Sequence, residues 1–361
     1  MTAARGTVLL SARSDSECPG QRPLGGVPDI GDMETRFCAG IGLALLASMA
    51  RPLRYVTPGQ VVEVTTRTIQ GRLLLRPSAE LNAAILAVLG RALAHHEVAL
   101  HGFAVLSNHV HFLLTVADGR ALASFMRFVN GNISTAVGRL HDWRGSLWSR
   151  RYRSIPVIDE ASQVSRLRYL MAQGCKEGLV DSPLRWPGLH CARALVGHET
   201  LSGTWLDRSA LYHALRERGA DVDVSEFETA YPVELAPLPC WSSLSDAAWR
   251  ARCVAMVEEI EEETRRENAA RGRSPLGVAR VLAQHPHARP RRSDRSPAPL
   301  VHAATRRARE AFRAVYQAFV DAFRLVAERM RQGETAVAFP RYAFPPAAPF
   351  VDGRRGASAA P

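Results

Sequence analysis

Lysine is almost absent from this chain of 361 residues. Lys176 is the only one, although Lys and Arg together number 46 against 35 Asp and Glu. The formal net charge is +11, and arginine carries nearly all of the positive charge. The codon bias of a GC-rich genome can explain the missing lysines but not the surplus of positive charge. Because guanidinium groups bind phosphate oxygens in pairs and stack on bases, this balance favours a nucleic-acid partner.

The chain also lacks the patterns of zinc-ribbon, disulfide-rich and membrane proteins. No CxxC pair occurs, which argues against a zinc ribbon, and the spacing gives no disulfide framework. No stretch reaches the roughly 18–20 apolar residues that span a bilayer. The apolar segment 38–50 has the length of a signal-peptide core, but acidic residues precede it. We therefore expect reduced cysteines, a cytoplasmic location and no membrane partner.

Residues 1–48 are rich in Gly, Pro, Ser and Arg, a composition typical of disorder. The segment MARPLRYVTPG, which begins at Met49, is typical of a natural protein start. We predict that residues 1–48 are a disordered extension or an over-long start.

Hydrophobic periodicity predicts an alternation of strands and helices between residues 49 and 200. The predicted segments are a strand at 61–69, a helix from Ser78, strands at 98–106 and 109–116, a helix at 121–140, a short strand within 144–158, and a helix at 160–173 that Gly174 ends. This order predicts an α+β fold with a ferredoxin-like antiparallel sheet and helices on one face.

The pattern changes after Pro187. Helical spacing predicts surface helices at 203–230 and 245–268, and then one long helix at 302–332. The predicted divisions are a domain at 49–200, a helical extension at 201–283, a Pro/Arg/Ser linker at 284–300, and a long helix with a Pro-rich tail at 301–361. The C-terminal extension is therefore expected to be mainly helical.

Two histidines one residue apart stand out on the third predicted strand. Because side chains alternate along a strand, His109 and His111 point to the same side. Two imidazoles at this spacing can chelate one divalent ion. The pattern alone is also typical of two ordinary polar side chains.

A tyrosine and a glutamine share one face of the helix predicted at 160–173. Tyr169 and Gln173 are four residues apart, so the phenol and the amide point the same way. A phenol is a poor nucleophile at neutral pH unless positive charge assists it. Arg166, Arg168 or a bound metal could supply that charge. The pair is equally typical of a buried tyrosine with a polar neighbour.

The segment WSRRYR interleaves basic and aromatic residues. Arg150, Arg151, Tyr152 and Arg153 would suit a single-stranded nucleic acid, although a solvated loop has the same composition. Tyr152 is a rival nucleophile, with Tyr55 a more distant one. We favour Tyr169 because a rigid helix positions a nucleophile better than a loop does.

From Met49 to about residue 200 the chain resembles the HUH single-tyrosine transposases, also called IS200-like, and in particular their REP-associated type. The matching motifs occur in the family's order: MARPLR, LSNHVHFLL, LWSRRYRSIPV, RLRYLMAQGCKEGLV and WPG. Many members have Asn-Pro after the tyrosine, where this chain has Gln173-Gly174. Glutamine keeps an oxygen at that helical position.

The resemblance implies roles for individual residues. It makes 49–200 the catalytic domain, His109, His111 and Gln173 the ligands of Mg²⁺ or Mn²⁺, and Tyr169 the nucleophile that forms a 5′-phosphotyrosine. It implies single-stranded or hairpin DNA as partner, a homodimer, and no nucleotide cofactor. The residues expected to contact DNA are Asn108, Arg150, Arg151, Tyr152, Arg153, Arg168 and Lys176. Two alternatives stay open: a non-catalytic, domesticated DNA-binding protein of the same descent, and a metal-dependent hydrolase with no role on DNA.

Overall fold

The computed structural model describes residues 52–290, 298–334 and 336–346, without the side chain of Ala220. The described residues from Leu53 onward form one compact unit. The predictions for residues 1–48 and for a start at Met49 lie outside the described residues. The same holds for 291–297 of the predicted linker and for 347–361 of the predicted tail.

Four antiparallel strands form the central sheet. They are β1 (Gln60–Arg67), β2 (Val98–Leu106), β3 (His109–Val116) and β4 (Arg153–Val157), and they lie side by side in the order β2-β3-β1-β4. With helices after the first and third strands, this is the ferredoxin-like arrangement. The predicted α+β class with an antiparallel sheet is confirmed.

Two long amphipathic helices cover one face of this sheet. In α1 (Ala79–His95) the N-cap is Ser78, and in α2 (Gly119–His141) it is Asp118, whose carboxylate accepts from the backbone N–H of Ala121 at 2.8 Å. The side chains between helices and sheet are fully buried, and the rings of Phe112 and Phe125 meet edge to face at 6.3 Å. This layer is the main hydrophobic core.

A shorter helix, α3 (Glu160–Met171), packs on the opposite face, which corrects the prediction that the helices lie on one face. Its residues Leu167 and Leu170 approach β2 at Gly102, where an added Cβ would lie 2.9 Å from Cδ1 of Leu167. Glycine at this position lets Leu167 of α3 lie this close to β2 without a shift. α3 has an apolar stripe of its own to bury, and the sequence pattern does not tell which sheet face receives it.

The C-terminal region is helical, as predicted, but includes a pair of short strands. Its elements are α4 (Ala192–Leu195), β5 (Ser202–Leu206), α5 (Arg208–Arg218), β6 (Glu228–Pro232), α6 (Asp246–Ala270), α7 (Val278–Leu282) and α8 (Arg306–Arg331). The helix predicted over 203–230 is therefore wrong in part, because β5 and β6 pair with each other and pack on α1. A Cβ on Gly203 would overlap the backbone of Leu86, so glycine permits this close packing.

The first residues of the predicted linker and the segment before α8 both contact the domain predicted at 49–200. The carbonyl oxygen of Ala288 accepts from the backbone N–H of Leu73 at 3.0 Å. Farther on, His302 forms an isolated parallel bridge beside β4 at Val157. Within the described residues, no helix is both long and apolar enough to span a bilayer.

Candidate active site

The sheet face under α3 gathers the polar residues of the candidate site. His109 and His111 of β3 lie opposite Arg67 and Thr65 of β1, and Thr65 in turn lies opposite Arg153 of β4. Directly paired residues point to the same side of a sheet. The two histidines therefore share a face with the cations Arg67 and Arg153, as the alternation on β3 predicted.

The two imidazoles are adjacent, with ring centroids 5.0 Å apart, and each has its Nδ1 atom engaged. Nδ1 of His109 lies 2.6 Å from Oδ1 of Asn108. Nδ1 of His111 lies 3.2 Å from the hydroxyl of Thr65 and 3.4 Å from a carboxylate oxygen of Glu63. Because amide and carboxylate oxygens only accept, each Nδ1 is the donor, and in a neutral ring Nε2 is then the atom with the lone pair.

Glu63 is a buried carboxylate that the sequence analysis missed. Its Oε1 faces His111, and its Oε2 lies 3.4 Å from Nη1 of Arg166 and 2.7 Å from Nε2 of His302. Burial would raise the pKa of this carboxyl, but the polar contacts with His111 and His302 and the charge of Arg166 outweigh burial, and the pKa falls well below its usual range. Glu63 therefore carries a negative charge beneath the site. The one signal in the sequence was a glutamate between valines in an alternating strand.

Tyr169 lies beside the histidines, half buried on α3. Its ring centroid is 6.0 Å from that of His111. The guanidinium of Arg166 and the ammonium of Lys176 are each 4.2 Å from the centroid of the phenol ring. Two cations therefore contact the ring.

Gln173 completes the group from just beyond the end of α3. Its amide Nε2 donates to the carbonyl oxygen of Tyr169 at 3.1 Å, so Oε1 is the atom of this amide that could bind a cation. The side chains of Gln173 and His109 are also hydrogen-bonded. α3 ends at Met171, two residues earlier than predicted, and Gln173 keeps its place because the chain continues as a turn.

His109 is held in its neutral form. Burial is the main cause that lowers its pKa to about 3, and the charges of His111 and Arg67 add to this, while the hydrogen bond with Gln173 opposes it. A neutral imidazole is the form that binds metal ions.

The donor set fits a divalent cation. Two imidazoles with ring centroids 5.0 Å apart lie beside the amide of Gln173, which is hydrogen-bonded to His109. Both rings have polar contacts at Nδ1, as is usual for metal-binding histidines. Within the described part of the chain, this site included, no cluster of three or more His, Cys, Asp or Glu side chains is placed to hold a metal, so a metal here would need the amide of Gln173 beside the two imidazoles.

Other predicted site residues have partners inside the protein. Asn108 uses its amide to hold His109 and to donate to the carbonyl oxygen of Gly71 at 3.1 Å. Arg168 points away from the histidines and pairs with Glu263 of α6 at 2.7 Å. Their predicted contacts with DNA stay predictions.

The basic segment before β4 is divided between the interior and the surface. Arg150, Arg151 and Arg153 are exposed, whereas Tyr152 is buried. Burial raises the pKa of Tyr152, against the opposing charge of Arg54, which makes this phenol a poor nucleophile. Trp148 donates from Nε1 to the carbonyl oxygen of Asn130 at 3.0 Å and serves packing.

Tyr55, the other rival nucleophile, packs against α8. Its ring centroid is 4.8 Å from that of Phe319. The structure thus brings Tyr169, His109, His111 and Gln173 together and leaves Tyr55 among aromatic rings of the C-terminal helix.

A cleft of about 300 Å³ opens beside Tyr169, between α3 and α6. Its polar lining has both signs of charge: Arg166, Arg168, Lys176, Arg273, Glu263 and Glu267. The cleft gives solvent and a ligand access to the tyrosine from the side away from the sheet core.

The fold and the site together define a ferredoxin-like α+β protein with a phenol, two imidazoles and an amide on one sheet face. Residues 76–173 match the family model described as "Transposase IS200 like". This part of the chain is therefore similar to the IS200-like transposases, and the resemblance drawn from the sequence motifs is confirmed.

Two solved structures are among those similar to this chain. One is a REP-associated tyrosine transposase bound to a REP hairpin, with 18% identity, 41% of this chain and 86% of that chain covered, and a TM-score of 0.34. The other is described as a transposase of Deinococcus radiodurans R1, with 16% identity, coverages of 34% and 95%, and a TM-score of 0.24. No curated protein matches the chain.

Proposed function

We propose that this transposase cleaves and rejoins single-stranded DNA through a covalent 5′-phosphotyrosine at Tyr169, with a divalent metal ion bound by His109, His111 and Gln173. The observation that carries the proposal is the convergence of these four side chains, which come from β3 and from the end of α3, on one face of the sheet. The transposase match supports DNA as the substrate.

The reaction balances without an energy-rich cofactor. The phenol oxygen of Tyr169 attacks the scissile phosphorus as the phenol loses its proton. A tyrosyl O–P bond forms, the bond from phosphorus to the 3′ oxygen breaks, and that oxygen takes up a proton. A 3′-hydroxyl of the same or another strand can reverse the step and reseal the DNA.

The residues of the chain position and assist this exchange. Arg166 and Lys176, each 4.2 Å from the ring centroid, provide positive charge beside the phenol ring whose oxygen attacks. Arg67 and Arg153 face the same side and have no ion pair with a carboxylate within the described residues, so they are available to the DNA backbone. Mg²⁺ or Mn²⁺ at the imidazole and amide atoms would polarise the scissile phosphate. Histidine ligation favours Mn²⁺ in affinity.

A covalent-trapping assay tests the proposal. The full chain is incubated with Mn²⁺ and an end-labelled pool of hairpin oligonucleotides with randomised single-stranded flanks, and the products are separated on a denaturing gel. We expect a protein–DNA adduct that is lost in Tyr169→Phe and kept in Tyr152→Phe. The pair is matched, since each change removes one hydroxyl from a tyrosine near the basic segment.

Three results would point elsewhere. DNA binding with no adduct in the wild type would favour the non-catalytic DNA-binding alternative. Cleavage that survives Tyr169→Phe would favour a hydrolase or another nucleophile. An adduct equally strong without a divalent cation would contradict the metal site.

A further inference from the structure

Three groups from distant parts of the chain share the Glu63 carboxylate, and they define what we call the Glu63 cluster: Glu63, His111, Arg166 and His302. Glu63 is only 5% exposed. Two of the three partners already belong to the candidate site. His111 is a proposed ligand, and Arg166 contacts the ring of Tyr169. The third partner, His302, comes from outside the matched residues 76–173.

The backbone fixes His302 at this position. Its N–H donates to the carbonyl oxygen of Pro156 at 2.8 Å, and its carbonyl oxygen accepts from the N–H of Ile158 at 3.1 Å. The neighbours Val301 and Ala303 are buried. Residues 301–303 therefore lie as an added strand segment along the edge of β4, with the side chain of His302 directed to the carboxylate.

The same segment is joined to the helix that bears the tyrosine. Asp159 caps the N-terminus of α3 with Oδ1, which accepts from the N–H of Ser162 at 2.8 Å. Its other oxygen, Oδ2, accepts from the N–H of Ala304 at 2.7 Å. The segment 301–304 thus contacts both a carboxylate beneath a proposed ligand and the cap of the nucleophile's helix.

The Glu63 carboxylate can orient the imidazole of His111 only if the carboxylate itself is prevented from rotating. Oε2 of Glu63 has His302 at 2.7 Å and Arg166 at 3.4 Å, and these contacts turn Oε1 towards Nδ1 of His111. Without His302 the closest contact of Oε2 is lost, and the buried carboxylate can rotate away from the ring.

We propose that His302 is a positioning residue of the active site: through Glu63 it holds the ring of His111 in the orientation that binds the metal, so that the C-terminal segment completes the site. This inference rests on the proposed metal-dependent function for its consequence, but the orientation of His111 can be measured without metal or DNA.

The test compares three variants of the full chain. His302→Ala removes the contact, and His302→Gln keeps an N–H donor of similar reach. His213→Ala, which changes an exposed histidine on α5, is the control. Two quantities are measured: the ¹⁵N shifts of the His111 imidazole in metal-free protein, assigned with His111→Gln, and the Mn²⁺ affinity by titration calorimetry.

We expect His302→Ala to shift the His111 signals and to weaken Mn²⁺ binding by about 10-fold, the lower end of the loss usual when the partner of a ligand is removed. His302→Gln should restore both quantities, and His213→Ala should change neither. Unchanged His111 signals in a folded His302→Ala protein would overturn the inference. Equal shifts in His302→Ala and His302→Gln would also overturn it, because they would indicate general loosening. If the wild type binds no Mn²⁺, the proposed function fails, while the imidazole signals still decide the role of His302.

Discussion

The contact between Gly102 and α3 allows a direct test of how closely catalysis depends on the position of Tyr169. In Gly102→Ala the new methyl group would lie 2.9 Å from Cδ1 of Leu167 and 3.3 Å from Sγ of Cys191. An ordinary carbon–carbon contact is about 3.5–4.0 Å, so α3 must move by roughly 0.6–1.1 Å unless Leu167 yields. Leu167 precedes Tyr169 by two residues, and the shift would carry the phenol away from His111.

We expect two effects of different size. Overpacking should lower the free energy of unfolding by about 1–3 kcal/mol. Displacement of the nucleophile by up to about 1 Å should lower the rate of adduct formation by roughly 10- to 100-fold. The assays are urea denaturation and single-turnover adduct formation with saturating Mn²⁺.

A second glycine provides the matched control. Gly131 lies within α2, and an added Cβ would meet nothing within 4 Å. Gly131→Ala should raise the free energy of unfolding by about 0.5–1 kcal/mol and leave the rate unchanged. If Gly102→Ala is folded and forms adduct at the wild-type rate, the reasoning that α3 sets the position of Tyr169 is refuted.

Three further predictions concern a tyrosine, a histidine and the basic face. Tyr152→Phe should raise the free energy of unfolding by about 1 kcal/mol, because the buried hydroxyl has no hydrogen-bond partner within the described structure. Burial lowers the pKa of His190 to about 4, so between pH 6.5 and 4 the unfolded chain binds a proton at this residue and the folded chain does not. The free energy of unfolding should therefore fall as the pH drops through this range. The contribution of His190 to this fall should be about 2 kcal/mol between pH 7.5 and 5. DNA affinity should fall steeply with salt, and Arg153→Ala should reduce the slope of log K against log salt by about 1.

A specific result would contradict each of these three predictions. A less stable Tyr152→Phe would mean that the hydroxyl has a favourable partner. His190→Asn keeps an acceptor for the N–H of Ala192, which donates to Nδ1 of the histidine at 3.1 Å; if this variant retains the full pH dependence, another group is responsible. A DNA affinity that does not change with salt would mean that the arginines do not bind phosphates and serve the solubility of the protein instead.

Local periodicity predicted the elements that bear the site. β2 and β3 match their predicted bounds, and alternation alone placed His109 and His111 on one side. The spacing of four residues likewise brought Tyr169 and Gln173 together. These features depend on residues close in the sequence, so the pattern contains them.

The parts that were missed depend on residues far apart in the chain. Glu63 and His302 meet only after the C-terminal segment pairs with the edge of β4, and no local pattern encodes that contact. The strands β5 and β6 were missed for a similar reason. They are short, and they depend on the surface of α1 and on the close approach at Gly203.

The most direct test of the central claim is to identify the residue that becomes linked to DNA. The adduct formed with Mn²⁺ is digested with protease and nuclease, and the modified peptide is sequenced by mass spectrometry. The account predicts a nucleotide attached through its 5′ phosphate to Tyr169. Attachment to Tyr152 or Tyr55, or cleavage with no linked peptide, would contradict it.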